Sequence, residues 1–340
     1  MQIKAQSGQS PGRKQAGNNM DAINAILESE GPAALAVIVG IEGPSYRPLG
    51  AMMAILPDEG RVGTLSSGCI ENDIALHGTQ ALRQNMPLAI RYGRGSPFVD
   101  IQLPCGGGLD ILLIPNPNKA ALAEIKAMHT ARKPCGLEID MSTGKMGVAE
   151  VARTEAKGGT FAIRFEPELQ FLVFGKGPES STFASLVQSA GYPNMLLSPD
   201  EETLADGSRA RCQTRHLTHP YLPEDLIVDP WTAIVLFFHD HDWEPPILAY
   251  ALETDAFYIG AQGSQKSRDT RHAELTANGV KQNAINRLRG PIGLIPSARD
   301  ARTLSVSVLS EILKVAQEIV LDTTAQHSLS STVGFDMPKY

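Results

Sequence analysis

The chain has 340 residues, enough for about two domains, and is 42% hydrophobic and 20% charged, a balance that supplies a sizeable core. Its formal net charge is −7 with no basic block, which argues against nucleic acid as a partner but leaves anionic ligands open, because helix N-termini attract them whatever the net charge. Apolar runs such as AALAVIVGI and TAIVLFF are too short to cross a bilayer, and the first nineteen residues have no signal-peptide core. A soluble, cytoplasmic protein away from membranes is therefore expected, with a disordered tail over 1–19.

The first helix is expected from Met20 to Glu30, with Asn19 as N-cap and Gly31 closing it. A buried strand follows in AALAVIV, then the turn GIEGPSYRPLG, then a hairpin of AMMAIL and RVGTLSS around PDEG. A second helix begins near Cys69 and runs through IENDIALHGTQALRQN. Strands LAIRY and LDILLIP flank the loop QLPCGGG, and a helix covers Lys119 to Ala131. CGLEIDM and GVAEVA form another hairpin, and FAIRFEP leads to a domain boundary near Gln170.

From Phe171 strands and helices alternate: FLVFG, a helix from Glu179 to Ala190, NMLLS, TAIVLFF, a helix from Pro246 to Glu253, AFYIG, and a helix from Lys266 to Ala277. The last helix runs from Arg302 to Val320. This rhythm predicts a doubly wound parallel sheet with ligands beyond the C-terminal strand ends. The fold class is thus α/β: a mixed α/β domain over 20–168, a Rossmann-like domain over 169–325, and a tail over 326–340.

Five segments have residues suited to chemistry. Gly175, Gly177 and Ser180 follow FLVF as a glycine-rich turn at a helix start, where backbone N–H groups can hold a phosphate. Against a dinucleotide site, Pro178 removes one donor, and Ser198 stands where an acid would bind the ribose, with Asp200 two residues on. Ser67, Gly68, Cys69 and Glu71 place a thiol at a helix start, a setting that favours thiolates, while small residues form an anion nest. Cys105, Gly106, Gly107 and Gly108 let the backbone curl around a bulky ligand. His239, Asp240, His241 and Asp242 follow a buried strand, with Asp242 a candidate helix cap. Gly263 and Ser264 open a helix that carries Lys266, Arg268 and Arg271. The remaining cysteines, Cys135 and Cys212, complete a set of four without CxxC spacing, so neither a disulfide framework nor a zinc site is expected.

GPSYRPLGAMM, the segment Gly63 to Glu71, CGGGLDILL, FLVFGKG, FHDHDWEPPIL, AFYIGAQGSQKSR and PIGL followed by SVSVLSEI occur in an order that resembles the xanthine dehydrogenase accessory family, the XdhC/CoxI type. The resemblance covers nearly the whole chain after the tail. It implies a non-enzymatic maturation factor that binds molybdenum cofactor transiently, as molybdopterin or its dinucleotide form. Such a factor protects the cofactor, presents it to a cysteine desulfurase for sulfuration, and delivers it to an apo molybdenum hydroxylase client. The resemblance leaves open whether the working unit is a homodimer.

On this reading Cys69 and Cys105 lie nearest the metal end, Ser67, Gly68, Glu71, Gly106 and Gly107 complete that site, and the Gly175 to Ser180 turn holds a phosphate. The sequence departs from the family in three places: Gly175-Lys176-Gly177-Pro178 replaces a GAGH turn, Ser198 and Asp200 replace an acid and an arginine, and Gln265 to Arg268 is poorer in arginine. These shift the functional weight to the N-terminal cysteine loops. Two other readings stand beside it: an NAD(P)-dependent oxidoreductase with His239 or His241 moving protons, and an interaction protein that docks a desulfurase and a client.

Overall fold

The computed structural model describes residues 18–57, 60–66, 68–97, 103–104, 106–238 and 242–328, with side chains through 319. Two compact units divide the chain, Met1–Pro167 and Glu168–Tyr340.

In the first unit the order is α1 (Asn19–Glu28), β1 (Ala34–Glu42), β2 (Met52–Ile55), β3 (Arg61–Gly63), α2 (Glu71–Gln84), β4 (Leu88–Gly93), β5 (Gly108–Pro115), α3 (Lys119–Thr130), β6 (Cys135–Asp140), β7 (Met146–Ala149), β8 (Glu155–Lys157) and β9 (Thr160–Phe165). One antiparallel sheet has the strand order β3-β2-β1-β5-β4, and a second has β7-β6-β9-β8.

β1 is an unbroken apolar run because both of its faces are covered. Leu35 and Val37 pack with α1, α3, β6 and β9, while Ala34, Ala36 and Ile38 pack with α2. The N-cap of α1 is Asn18, whose side chain accepts from Met20 N, and not Asn19. Asn19 instead ties the helix to the sheet: its amide donates to Gly50 O at 2.9 Å and its carbonyl accepts from Met52 N at 3.0 Å.

The second unit contains β10 (Gln170–Gly175), α4 (Pro178–Ala190), β11 (Asn194–Ser198), α5 (Glu201–Arg209), β12 (Gln213–His216), β13 (Thr232–Phe237), α6 (Glu244–Ala251), β14 (Tyr258–Ala261), α7 (Gln265–Ala277), α8 (Gln282–Ile285), β15 (Leu288–Arg289) and α9 (Ala301–Ser328). The sheet is parallel throughout, ordered β12-β11-β10-β13-β14-β15. Numbered within the unit this is 3-2-1-4-5-6, the Rossmann order, with its switch point between β10 and β13.

Successive residues of β10 face opposite layers. Phe171 and Val173 meet α4 and α9, whereas Leu172 and Phe174 lie in the cluster containing α6 and α7. The expected mixed α/β domain and Rossmann-like domain are both present. The sequence reading lacks β8, α5, β12, α8 and β15, and α9 continues to Ser328, past the expected tail boundary. No helix among the described residues is long and apolar enough to cross a membrane.

Candidate functional site

Three connections meet at one end of the five-stranded sheet, beside the β1–β5 pair Glu42 and Gly108. They line a shallow, open recess. Ser45 and Tyr46 come from the turn after β1, and Leu65, Ser66 and Cys69 from the loop between β3 and α2. Leu103 and Pro104 come from the approach to β5, and Leu109 from the start of that strand. Most of the wall is apolar, with two hydroxyls, a phenol and a thiol placed around it. Tyr46 is 62% exposed, far outside the usual range for a packed aromatic, and Cys69 is also exposed.

The loop carrying Cys69 is organised by Glu71, the first residue of α2, which is buried with 7% of its surface exposed. Its Oε1 accepts from Leu65 N at 3.1 Å and Ser66 N at 2.7 Å, and its Oε2 accepts from Ser66 Oγ at 2.8 Å and Ile70 N at 3.2 Å. The Thr64 hydroxyl lies within hydrogen-bond distance of Oε1 as well. Ser66 Oγ in turn accepts from Cys69 N at 3.2 Å. Burial pushes the Glu71 carboxyl up, but hydrogen bonds from Thr64, from Ser66 and from its own backbone outweigh that and hold it below its ordinary 4.5. The side chain turns into the loop and does not line the recess.

The glycines before β5 set how closely this wall approaches its neighbour. A Cβ on Gly107 would stand 2.2 Å from Pro44 O and 2.9 Å from Glu42 O, so any other residue would force the two connections apart. Gly106 has φ +70° and open space around it, as does Gly68 at φ +100°. Beside them Arg91 donates to both oxygens of Asp110, at 3.0 and 2.9 Å, and to Glu42, clamping β4, β5 and β1 at the same end.

The structure brings Cys69 to the same recess as Pro104. Ser67 and Cys105 lie outside the described residues, as do His239, Asp240 and His241. Ser45, Tyr46, Leu65, Leu103 and Leu109 are additions that sequence reasoning did not single out, although GPSYRPLG carried a signal for the first two. Cys135 and Cys212 are buried, and burial pushes both thiols up.

In the second unit the glycine-rich turn lies at the C-terminal end of β10, where a Rossmann ligand would sit. Gly175 packs too tightly for a side chain, with a Cβ falling 2.8 Å from Phe237 and 2.9 Å from Ser180. Ser180 is fully buried and donates to Gly177 O at 2.9 Å, so it serves helix packing. Gly177 N donates to Thr203 Oγ1 at 2.8 Å, which uses the N–H that a phosphate would need. Asp200 caps α5, accepting from Thr203 N at 2.8 Å. The hydrogen bonds from the Thr203 side chain and backbone hold its carboxyl below the ordinary range. Ser198 is buried and accepts from Asp200 N.

Lys176 sits over the Trp243 ring at 5.7 Å from its centroid, and Trp243 stacks on Phe238. Trp243, not Asp242, is the N-cap residue of α6. Arg271, expected on a basic helix face, is buried and pairs with Glu244 at 2.7 Å, while Gln262 O accepts from it. Among the described residues no group of three or more His, Cys, Asp or Glu side chains gathers for a metal ion.

The architecture and the recess define a two-unit protein with a Rossmann-like second half. Residues 26–93 match the XdhC and CoxI family, and residues 171–312 match the XdhC Rossmann domain. The chain belongs to the XdhC/CoxI family. It is 31% identical over 295 residues to the molybdenum cofactor insertion chaperone PaoD of Escherichia coli, an alignment that covers 86% of each protein. It is 22% identical to a probable xanthine dehydrogenase subunit from Bacillus subtilis, over 90% of this chain and 99% of that one. A crystal structure of a xanthine dehydrogenase from Bacillus halodurans has the same fold, with a TM-score of 0.71 and 20% identity over 88% of this chain and 96% of the other.

Proposed function

We propose that this protein is a maturation factor that holds molybdenum cofactor as cargo in the recess of its first unit. In this role it protects the cofactor, presents it for sulfuration by a cysteine desulfurase, and delivers it to an apo molybdenum hydroxylase in the cytoplasm. It turns over no substrate of its own. The observation that carries this reading is the convergence of the Tyr46 turn, the Cys69 loop and the Pro104 arm on one recess. Membership of a family that includes a cofactor insertion chaperone adds to it.

The donor set fits the cargo. The apolar walls from Leu65, Leu103 and Leu109 and the Tyr46 ring suit the flat face of a pterin. The exposed Tyr46 phenol offers a polar contact to its edge, and the Cys69 thiol is a soft group suited to a molybdenum–sulfur centre. Cys105 is assigned to the same end of the cargo as Cys69.

Protein isolated from a cofactor-replete host is expected to contain pterin and molybdenum in fixed ratio to chain. Cys69→Ala is expected to lose most of both while unfolding at the same urea concentration. Equal cofactor content in Cys69→Ala and wild type would remove the thiol from the site, and absence of pterin from wild type would overturn the reading.

A further inference from the structure

Glu71 is buried and does not line the recess. Five donors, Thr64 Oγ1, Leu65 N, Ser66 N, Ser66 Oγ and Ile70 N, converge on its two oxygens. All five belong to the segment that leads into α2. Leu65 and Ile70 anchor this loop in the core, both fully buried, and the hydrogen bonds to one anion fix the path of the backbone between them. The connection to the recess is direct. The Ser66 hydroxyl has one proton, which it donates to Glu71, and a lone pair, which accepts the Cys69 N–H.

We infer that Glu71 is the positioning residue of the recess, acting through the Ser66 hydroxyl to fix the backbone of Cys69. The inference deepens the reading of the recess as the cargo site and rests on it only for the importance of Cys69. The carboxylate touches no cargo. Its part is to hold the loop so that the thiol, the Leu65 side chain and the Ser66 backbone face the same space. A glutamine at 71 cannot replace it, because the amide would present N–H donors to Ile70 N and thereby oppose one of the bonds that close the loop. Removing the Ser66 hydroxyl cuts the relay while leaving the Leu65 and Ser66 N–H bonds to Glu71 in place.

The test uses the full chain from a host that makes no cofactor, with hydrogen exchange of the Cys69 amide as the readout and iodoacetamide labelling of the buried cysteines as the control. Glu71→Gln and Ser66→Ala are expected to raise the exchange rate of the Cys69 N–H, which donates to Ser66 Oγ, by about tenfold, the factor that corresponds to losing one charge-assisted hydrogen bond. Ser66→Thr, which keeps the hydroxyl, is expected to stay near the wild-type rate. The buried Cys135 and Cys212 report the global fold and should remain protected in all three. If Glu71→Gln exposes them, Ser66→Ala alone decides the matter. Unchanged exchange of the Cys69 N–H in Ser66→Ala with the fold intact would overturn the inference. Pterin content of the same variants from a cofactor-replete host is then measured: a loss that follows the Cys69 rates supports the positioning role. Wild type without pterin would sink the cargo reading and leave the exchange result standing.

Discussion

A carboxylate that accepts from Leu65 N, Ser66 N, Ser66 Oγ and Ile70 N favours its anionic form, and this gives Glu71 a definite pH signature. Its folded value lies below the ordinary 4.5. The stabilisation is therefore fully present above that ordinary value and is lost as the pH falls through the depressed one. Urea unfolding compared between wild type and Glu71→Gln from about pH 6 to about pH 3 should show a stability gap that shrinks with acid. A gap that does not change with pH would contradict the assignment.

The residues that sequence alone made legible here are those whose type is itself unusual: cysteines at glycine turns and a glutamate just inside a helix. The role of Glu71 was not legible, because a helix-start acid reads as a ligand or a cap until its donors are located. Tyr46 and Leu103 are hidden in the sequence for a different reason. They matter only because β1 and β5 pair and bring their flanking turns together.

At the scale of elements, the N-cap of α1 falls one residue before the expected Asn19. Asn18 caps the helix, and Asn19 supplies an acceptor to the Met52 N–H on β2. Asn18→Ala is expected to cost about 1 kcal/mol as the loss of an ordinary cap. Asn19→Ala should cost about 1–3 kcal/mol, because it strands a backbone donor at the sheet. Urea midpoints of the two variants measure this, and a larger loss in Asn18→Ala would reverse the argument.

Strong apolar rhythm made β1, β10, β13 and α4 readable. α5 and β12 lack it: α5 buries only Thr203 and Gly207, and β12 is an edge strand whose QTRH segment has no fully buried residue. Their signal is chemical instead, an aspartate at 200 in position to cap a helix. In a Rossmann-like pattern the same acid invites comparison with a ribose ligand, which hides the cap.

For the molecule as a whole, the glycine turn and strand order of the second unit define a Rossmann fold without defining a nucleotide site. The N–H of Gly177 is bonded to Thr203, Pro178 has none, and the Ser198 hydroxyl already accepts from Asp200 N. Titration of the full chain with NAD or NADP at submillimolar concentration is expected to give no heat of binding. A saturable heat that disappears in Lys176→Ala would instead give the β10 turn a ligand. The fold of the second unit was legible, since alternating strands and helices imply a parallel sheet. The antiparallel four-stranded sheet of the first unit was only half visible, because β8 is three residues long and partly exposed.

The close approach of Gly107 to Pro44 has a consequence for biosynthesis. The recess has no existence in any single stretch of chain: its walls are contributed around residues 45, 66 and 104, and Gly107 can seat only after β5 has taken its place beside β1. A ribosome-bound chain that has emitted the Cys69 loop but not yet β5 has no recess at all. Whatever binding the recess supports thus arrives late and all at once, because no half-made copy has its walls.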